Sequence, residues 1–214
     1  MRCLTPPARA HSSRTLRQCP AKLAQFFQAG TGWHPVNVLI ALAGLPGSGK
    51  SAVAEDLSRA LHCAVLSVDP AEAAMWRAGV SKSEPTGLAA YMVVEALAAE
   101  QIALGHDVIV DAVNAVEPAR AQWRALAHQL AVDLRFIEVQ CSDPDVHRRR
   151  LEGRRRGIAG FYEPSWYDVQ RRREEFAPWI DDRLTLDSID SRHDNLVTAL
   201  KYLDRLPDEG WPQR

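Results

Sequence analysis

The amino-acid sequence predicts an α/β fold, in which a parallel β-sheet is covered by helices on both faces. Short apolar segments rich in β-branched residues alternate with segments whose apolar residues recur at helical spacing. The strand-like segments are apolar almost throughout, as is typical of strands buried on both faces. The chain has 214 residues, 46% of them hydrophobic and 25% charged. This length is sufficient for one sizeable α/β domain and too short for a second.

Five strands and six helices are predicted in alternation along the chain. The strands are predicted at residues 36–43, 64–68, 107–111, 133–140 and 183–187, and the helices at residues 51–61, 88–104, 117–130, 144–156, 168–176 and 194–205. Asp143 and Pro144 supply an N-cap and a first-turn proline for the fourth helix, and Asp194 is expected to cap the last one. Residues 157–166 contain glycine and aromatic residues and are the best candidate for a mobile loop.

The segment between the first strand and the first helix carries the clearest functional signal. Residues 44–51 have the sequence Gly-Leu-Pro-Gly-Ser-Gly-Lys-Ser, which fits the phosphate-binding pattern G-x-x-x-x-G-K-[ST] at every fixed position. Glycines allow the backbone to curl around a phosphate chain, and the helix N-terminus directs amides and its positive dipole end at the anion. Lys50 is expected to reach the β- and γ-phosphates of a nucleoside triphosphate, and the Ser51 hydroxyl is expected to ligate Mg²⁺. The predicted nucleotide-binding residues are Gly44, Leu45, Pro46, Gly47, Ser48, Gly49, Lys50, Ser51 and Ala52.

Two aspartates are predicted at the same edge of the sheet as this loop, because ligands of such sheets bind at the carboxyl ends of the strands. Asp111 ends an apolar segment and is expected to hold Mg²⁺ or its water, or to orient the attacking group. The alternative is a structural role in which Asp111 caps the next turn. Asp69 is the candidate general base that accepts a proton from an acceptor hydroxyl. Its alternative role is to cap a helix before Pro70.

An arginine-rich segment at residues 148–156 contains six arginines and follows the fourth strand. It has three possible roles: a lid that clamps the triphosphate, a solvated helix face, or a nucleic-acid-binding patch. Its position before the 157–166 loop favours the lid, in which Arg150 and Arg154, one helical turn apart, could converge on one anion. Arg77 and Arg120 follow strand ends and could hold an anionic substrate, although single helix arginines are usually solvated.

Composition narrows the possible partners and the compartment. The net charge of −1 argues against a surface built for nucleic acid or for an anionic membrane, and no apolar segment approaches the length of a membrane span. The four cysteines are scattered and predict neither a disulfide framework nor a zinc site, so a cytoplasmic location is expected. Residues 1–35 lack Asp and Glu and carry five basic residues, which resembles an organelle transit peptide, although a disordered tail or a start codon placed too far upstream is favoured. We therefore predict an N-terminal extension at 1–35, one domain at 36–206 and a tail at 207–214.

The order of these motifs resembles that of a known group of enzymes. Residues 44–51, the acid Asp69 after a strand, the segment Val-Ile-Val-Asp-Ala-Val-Asn at 108–114 and Arg-Leu-Glu-Gly-Arg at 150–154 follow one another along the chain. From about residue 36 to residue 203, the chain resembles the small P-loop kinases that have an AAA-type ATP-binding domain. These include the polynucleotide-kinase-like, chloramphenicol-phosphotransferase-like and zeta-toxin-like proteins.

This resemblance implies a P-loop NTPase sandwich with strand order 2-3-1-4-5, and ATP with Mg²⁺ as phosphoryl donor. It implies that Asp69 deprotonates the acceptor hydroxyl and that Arg150 and Arg154 act from a lid. Residues 111–114, with Asp111 and Asn114, would lie on the acceptor side. The group often has an arginine within seven residues after its second-strand acid, in D-x-x-R spacing, whereas the first arginine here is Arg77.

Three functions follow as hypotheses. The first is a phosphotransferase that moves the γ-phosphoryl group of ATP to a hydroxyl of a small molecule, with Asp69, Lys50, Arg150 and Arg154 as catalytic residues. The acceptor would be bound by Asp69, Arg77, Asp111, Asn114 and Arg120, and the metal by Ser51 and Asp111. The second hypothesis is an NTP-hydrolysing switch or regulatory ATPase, and the third is a polynucleotide 5′-hydroxyl kinase.

Overall fold

The computed structural model describes residues 37–154 and 157–206, so the predicted extension at 1–35 and tail at 207–214 lie outside the described residues. Five strands form one sheet in the order β2-β3-β1-β4-β5, and every neighbouring pair is parallel. This confirms the predicted fold class and strand order. The strands are β1 Val38–Ala43, β2 Ala64–Ser67, β3 Val108–Asp111, β4 Asp133–Gln140 and β5 Arg183–Asp187.

Seven helices connect or follow these strands in the described residues. They are α1 Lys50–Leu61, α2 Val68–Arg77, α3 Thr86–Ala103, α4 Glu117–Leu130, α5 Pro144–Glu152, α6 Trp166–Glu174 and α7 Arg192–Tyr202. Within this part of the chain, none of the helices has the length and apolar character needed to cross a membrane.

The sheet is covered on both faces, as the apolar strands predicted. Along β1, Leu39 and Ala41 are fully buried in a core formed with α3 and α4, whereas Ile40 and Leu42 are fully buried in a second core formed with α1 and α7. This alternation follows from the two-residue period of a strand, which directs successive side chains to opposite faces. Burying a side chain of leucine or isoleucine size stabilises the fold by about 1.5–3 kcal/mol, so both helical layers are held to the sheet by its central strand.

One helix was not among the predicted elements and was considered only in the alternative role of Asp69. Residues 68–77 form α2, with Ser67 at its N-cap position, whereas a strand through residue 68 and a connecting segment were expected. Proline is favoured in the first turn of a helix. The N–H groups of that turn have no intrahelical acceptor, so proline, which lacks an N–H, costs no helical hydrogen bond there. Pro70 therefore starts this helix instead of only ending the strand. As a result, Asp69 lies in the first turn of α2, two residues beyond the end of β2.

Several helix termini also differ from the prediction, by up to four residues. The fourth predicted helix was expected to reach residue 156, but α5 ends at Glu152 with Gly153 as its C-cap. Asp194 was expected to cap the last helix, but the N-cap is Ser191, whose side chain accepts a hydrogen bond from the Asp194 amide. The predicted cap at the start of α5 is present, because the Asp143 side chain accepts hydrogen bonds from two first-turn amides.

Candidate functional site

Residues 44–51 form a loop that runs from the end of β1 into the first turn of α1. Gly49 is the N-cap residue of α1, and neither a side-chain cap nor an acidic first-turn residue is present at this helix end. Because the first amides of a helix have no intrahelical acceptor, they and the positive end of the helix dipole are directed at this loop. The Lys50 Nζ lies over the loop and donates a hydrogen bond to the Leu45 carbonyl oxygen at 3.1 Å. This arrangement suits a bound polyphosphate.

The glycines of this loop are required by backbone conformation and by close contacts. Gly44, Gly47 and Gly49 have φ values of 136°, 81° and 105°, which L-residues with a Cβ rarely adopt. A Cβ on Gly44 would lie 2.2 Å from the carbonyl oxygen of Val139 in β4. A Cβ on Gly49 would lie 2.8 Å from the Cβ of Ser188, just beyond β5. The loop is therefore packed directly against the strand ends that support it.

Ser51 and Asp111 form a pair of oxygen ligands beside the loop. The Ser51 Oγ donates a hydrogen bond to Asp111 Oδ2 at 2.8 Å. Asp111 is the last residue of β3 and pairs in register with Leu42 of β1 and Ser67 of β2, so it lies at the carboxyl edge of the sheet. Hydroxyl and carboxylate oxygens are hard ligands of the type that Mg²⁺ prefers in phosphate sites. The two residues therefore fit a magnesium ion bound together with a phosphate.

A cleft of about 320 Å³ opens over this loop. Six of the predicted site residues line it together: Pro46, Lys50, Ser51, Asp69, Asp111 and Arg154. Phosphate-binding groups and a carboxylate from α2 thus face the same space, although they come from distant parts of the sequence. This co-location is what phosphoryl transfer from a bound nucleotide requires.

The two predicted lid arginines lie in different places. Arg154 lines the cleft, whereas Arg150 lines a separate cavity of about 220 Å³ beside Gly49. The Arg150 Nη1 donates to the Ser188 hydroxyl at 2.7 Å and its Nη2 donates to the Ser188 carbonyl oxygen at 3.1 Å. The structure therefore does not direct the two guanidinium groups at one anion.

Arg120 is buried in the fold and does not line the cleft. Its side chain is 0% exposed, and its guanidinium lies over the Trp179 ring, 3.6 Å from the ring centroid. Burial lowers the pKa of this guanidinium. Its N–H groups donate to the carbonyl oxygens of Asn114, Ala115, Ala177 and Pro178. The structure therefore uses this predicted substrate ligand to hold the segment after α6 against the segment after β3.

Asn114 and Arg77 also lie outside the lining of the cleft. Asn114 is fully buried with φ 48°, and its Nδ2 donates to the Leu42 carbonyl oxygen at 2.7 Å. Its Oδ1 accepts a hydrogen bond from the Trp123 indole at 2.9 Å. Arg77 is exposed and donates to the Ala159 carbonyl oxygen at 3.4 Å. Asn114 thus shapes the turn after β3, and Arg77 contacts the 157–165 loop.

His147 is a residue of the site that the sequence analysis missed. Its side chain is 1% exposed, and its Nε2 lies 2.8 Å from the Pro46 carbonyl oxygen within the phosphate loop. Its Nδ1 lies 3.4 Å from Arg173 in α6, and its ring packs edge-on against Trp166. A histidine at the head of an arginine-rich segment gave no signal of this role, because the contacts are with distant elements.

The sequence analysis also missed the contribution of α6 and α2 to the cleft. Arg171 and Arg172 of α6 line the cleft, as does Glu72 of α2. Trp76 of α2 stacks on Phe161, with ring centroids 5.8 Å apart, and both rings line the cleft. The strongly charged composition of α6 was visible in the sequence, but only the packing places its arginines beside the loop.

Solved structures of other proteins share this fold. APS kinase CysC of Mycobacterium tuberculosis, in complex with AMPPNP and APS, is 21% identical with a TM-score of 0.62, over 80% of this chain and 99% of that one. A gluconokinase from Sinorhizobium meliloti is 20% identical with a TM-score of 0.57, over 80% and 94% of the two chains. Kti12 of Chaetomium thermophilum, in complex with ADP-AlF3, is 18% identical with a TM-score of 0.59, over 79% and 100%.

A comparison with curated proteins gave no match. The family model described as an AAA domain matches residues 39–174, which extend from β1 to the end of α6. The matched region includes the phosphate loop, Asp69, Asp111 and Arg154 and covers more than half of the chain. The finer grouping with polynucleotide-kinase-like and related proteins stays a prediction. The chain belongs to the AAA domain family.

Proposed function

We propose that this protein is an ATP-dependent kinase that transfers the γ-phosphoryl group of ATP to a hydroxyl of a small-molecule acceptor. The observation that carries the proposal is that the Asp69 carboxylate lines the same cleft as Lys50, Ser51 and Asp111. Asp69 also lines an adjoining cavity of about 460 Å³, which offers room for an acceptor next to the phosphates. Nucleotide binding alone needs no carboxylate between the cleft and the adjoining cavity. Transfer of the phosphoryl group to a hydroxyl needs a proton acceptor there.

Each group in the cleft has a role in this reaction. The loop amides and Lys50 would bind the β- and γ-phosphates, and Ser51 and Asp111 would hold Mg²⁺. When bound, Mg²⁺ neutralises charge on the phosphate oxygens. Arg154 and the two cleft-lining arginines of α6 would stabilise negative charge on the transferred group.

The reaction follows from this arrangement. The acceptor oxygen bonds to the γ-phosphorus, the bond from that phosphorus to the β,γ-bridging oxygen breaks, and the hydroxyl proton passes to Asp69. The products are a phosphate monoester and ADP.

The cavity that contains Arg150 offers a place for the base of the bound nucleotide. It lies beside Gly49 and Ala52, on the other side of the loop from Asp69, and is also lined by Asn195. A guanidinium can stack on an aromatic base, and an amide can hydrogen bond to its edge. Arg150 would therefore act on the base end of the nucleotide rather than on its γ-phosphate.

The test compares wild-type protein with Asp69→Asn. The variant should lose about 10²- to 10⁴-fold in phosphoryl transfer, the usual contribution of a general base, and retain its affinity for Mg²⁺·AMPPNP in calorimetry. The acceptor panel consists of nucleosides, sugars, amino alcohols and 5′-hydroxyl oligonucleotides. Asp204→Asn, which removes an exposed carboxylate beyond the end of α7, is the matched control and should behave as wild type.

Other outcomes would favour the alternative functions. Hydrolysis of ATP that is unaffected by Asp69→Asn, with no product from any acceptor, would contradict the kinase proposal and favour an NTP-hydrolysing switch. Transfer to oligonucleotides alone, with a rate that falls steeply as salt increases, would favour a polynucleotide kinase.

A further inference from the structure

The cavity beside the cleft has walls that are mainly apolar. Side chains of α2, α3, α4 and the segment after β3 form its walls, among them Val68, Leu88, Tyr91, Val113, Val116 and Pro118. The cavity shares Asp69, Glu72 and Arg172 with the cleft, so the two spaces adjoin. If the proposed function holds, the acceptor lies here with its hydroxyl towards Asp69. Apolar walls favour an acceptor with a hydrocarbon or aromatic body over a fully polar sugar.

Glu72 is fixed at the boundary between the cleft and the cavity. Its Oε1 accepts a hydrogen bond from the hydroxyl of Thr86 at 2.8 Å. The Thr86 hydroxyl in turn accepts a hydrogen bond from the Trp76 indole at 3.0 Å, and Thr86 is only 4% exposed. A carboxylate held by a buried hydroxyl loses little side-chain freedom when it binds a ligand. These two hydrogen bonds therefore hold the negative charge of Glu72 in a fixed position before the acceptor binds.

Carboxylates outnumber guanidinium groups among the described residues that line the cavity. They are Asp69, Glu72 and Glu175, against one guanidinium, that of Arg172. Glu175 is exposed and lies 3.9 Å from Arg171, so its charge is screened and partly balanced. Glu72 is half-buried and lies next to apolar walls, where charge interactions are less screened than at an open surface. An anionic acceptor would be repelled there, and a cationic acceptor would be attracted.

Two aromatic rings lie next to Glu72 in the lining of the cleft. Trp76 stacks on Phe161, and Lys82 Nζ lies 4.9 Å from the Trp76 ring centroid, so the faces of the Trp76 ring are already in contact with groups of the chain itself. The preference for a cation therefore comes from the Glu72 carboxylate, and the rings supply apolar surface beside it.

We propose that the acceptor is an amino alcohol, whose ammonium group pairs with Glu72 and whose hydroxyl lies at Asp69. Asp69 and Glu72 are three residues apart on α2, so their Cβ atoms lie on one face about 5–6 Å apart. The hydroxyl oxygen and the amine nitrogen of the acceptor are therefore separated by about three or four bonds, as in a 1,2- or 1,3-amino alcohol. The apolar body of the acceptor lies on the walls formed by α3 and α4. The amine stays protonated, and the phosphoryl group is transferred to the hydroxyl oxygen alone.

The experiment uses three alcohols that share a phenylpropyl body and differ in charge. They are phenylalaninol, which is cationic, 3-phenylpropan-1-ol, which is neutral, and 3-phenyllactate, which is anionic. Binding to the full chain saturated with Mg²⁺·AMPPNP is measured by calorimetry, and phosphorylated product is measured with Mg²⁺·ATP. Phenylalaninol should bind about tenfold or more tightly than the other two and should be the best acceptor.

Variants connect this preference to Glu72. Glu72→Gln should bind the cationic and neutral probes alike, while Glu72→Asp should retain part of the difference. Glu100→Gln removes an exposed carboxylate of α3 outside the cavity lining and should leave the preference unchanged. Thermal melting of each variant confirms that it is folded.

The outcomes separate the two proposals. Binding of the neutral or anionic probe as tight as that of phenylalaninol, or a preference that persists in Glu72→Gln, would overturn the amino-alcohol assignment. A protein that binds AMPPNP but none of the three probes would also overturn it and would leave the proposed function in place. A folded protein that does not bind AMPPNP at all would instead overturn the proposed function.

Discussion

Acidification should destabilise this protein through His147. The Nε2–H donates to the Pro46 carbonyl oxygen, so Nδ1 is the acceptor for the Arg173 guanidinium and the buried imidazole is neutral. A proton added at Nδ1 would face the N–H groups of Arg173. Burial lowers the pKa of His147, and the positive charges of Arg173, Lys50 and Arg150 lower it further.

The size of the effect follows from proton linkage. In the unfolded chain the histidine pKa is about 6.5, and in the folded protein it is lower. The stability that comes from the neutral imidazole is therefore fully present above about pH 6.5. It is lost as the pH falls from there towards the folded pKa, because only the unfolded chain takes up the proton. One such group changes the free energy of unfolding by at most about 1.4 kcal/mol per pH unit.

Urea unfolding of the wild type and of His147→Gln, from about pH 8 to about pH 5, measures this contribution. The difference between the two proteins isolates His147, because the remaining histidines contribute equally to both. The wild type should lose stability relative to the variant below about pH 6.5. Since His147 supports Pro46, the affinity of the folded wild type for Mg²⁺·AMPPNP should fall only at lower pH, where the folded imidazole itself takes up a proton. A difference that is independent of pH, or that grows in favour of the wild type on acidification, would refute this reasoning.

Three further substitutions and one control substitution test the loop and the buried arginine. Gly49→Ala and Gly105→Ala both place an L-residue at positive φ, at a cost of about 1–2 kcal/mol. Only the Cβ at Gly49 meets a neighbour, Ser188 at 2.8 Å, so Gly49→Ala should lose more stability in urea and also lose AMPPNP binding. Lys50→Ala should weaken AMPPNP binding about tenfold or more in calorimetry, with the protein still folded in thermal melts. Arg120→Met should lower the free energy of unfolding in urea by about 3 kcal/mol or more, because buried carbonyl oxygens lose their donors.

Each of these predictions can fail clearly. Equal effects of Gly49→Ala and Gly105→Ala on stability and on binding would contradict the close packing of the loop. Unchanged nucleotide affinity in Lys50→Ala would contradict the assignment of the phosphate site. A stable Arg120→Met variant that loses only transfer activity would show that Arg120 acts on substrate rather than on the fold.

Much of the fold and the centre of the site followed from short-range sequence patterns. Four of the five strands were predicted within one residue at their ends or to the residue, because each is a short segment with apolar residues inside it and polar residues at or next to its ends. The positions of the loop at 44–51 and of Asp111 were predicted for a similar reason. The loop follows β1, and Asp111 is the last residue of β3. Parallel strands bring their carboxyl ends to one edge, so the two come together, and Ser51 bonds to Asp111.

The hydrogen-bond partners of the long side chains and of His147 were much harder to predict. Arg120, Arg150 and His147 have partners 58, 38 and 101 residues away in the sequence. A flexible arginine can reach any acceptor within several ångströms, and neighbouring residues in the sequence do not select among them. For this reason only a substrate-binding role and a solvated role were considered for Arg120, and not the buried one that the structure shows.

The identity of the phosphate-binding loop depends on properties of consecutive residues: glycines at positive φ, a lysine and a hydroxyl at the start of a helix. Such features are encoded locally, and the sequence contains them whatever surrounds the loop. The other residues of the site are not encoded locally. Only the packing of the helices on the sheet brings together Glu72, Trp76, His147 and α6. Their proximity is a result of packing between elements distant in the chain, and no local pattern specifies it.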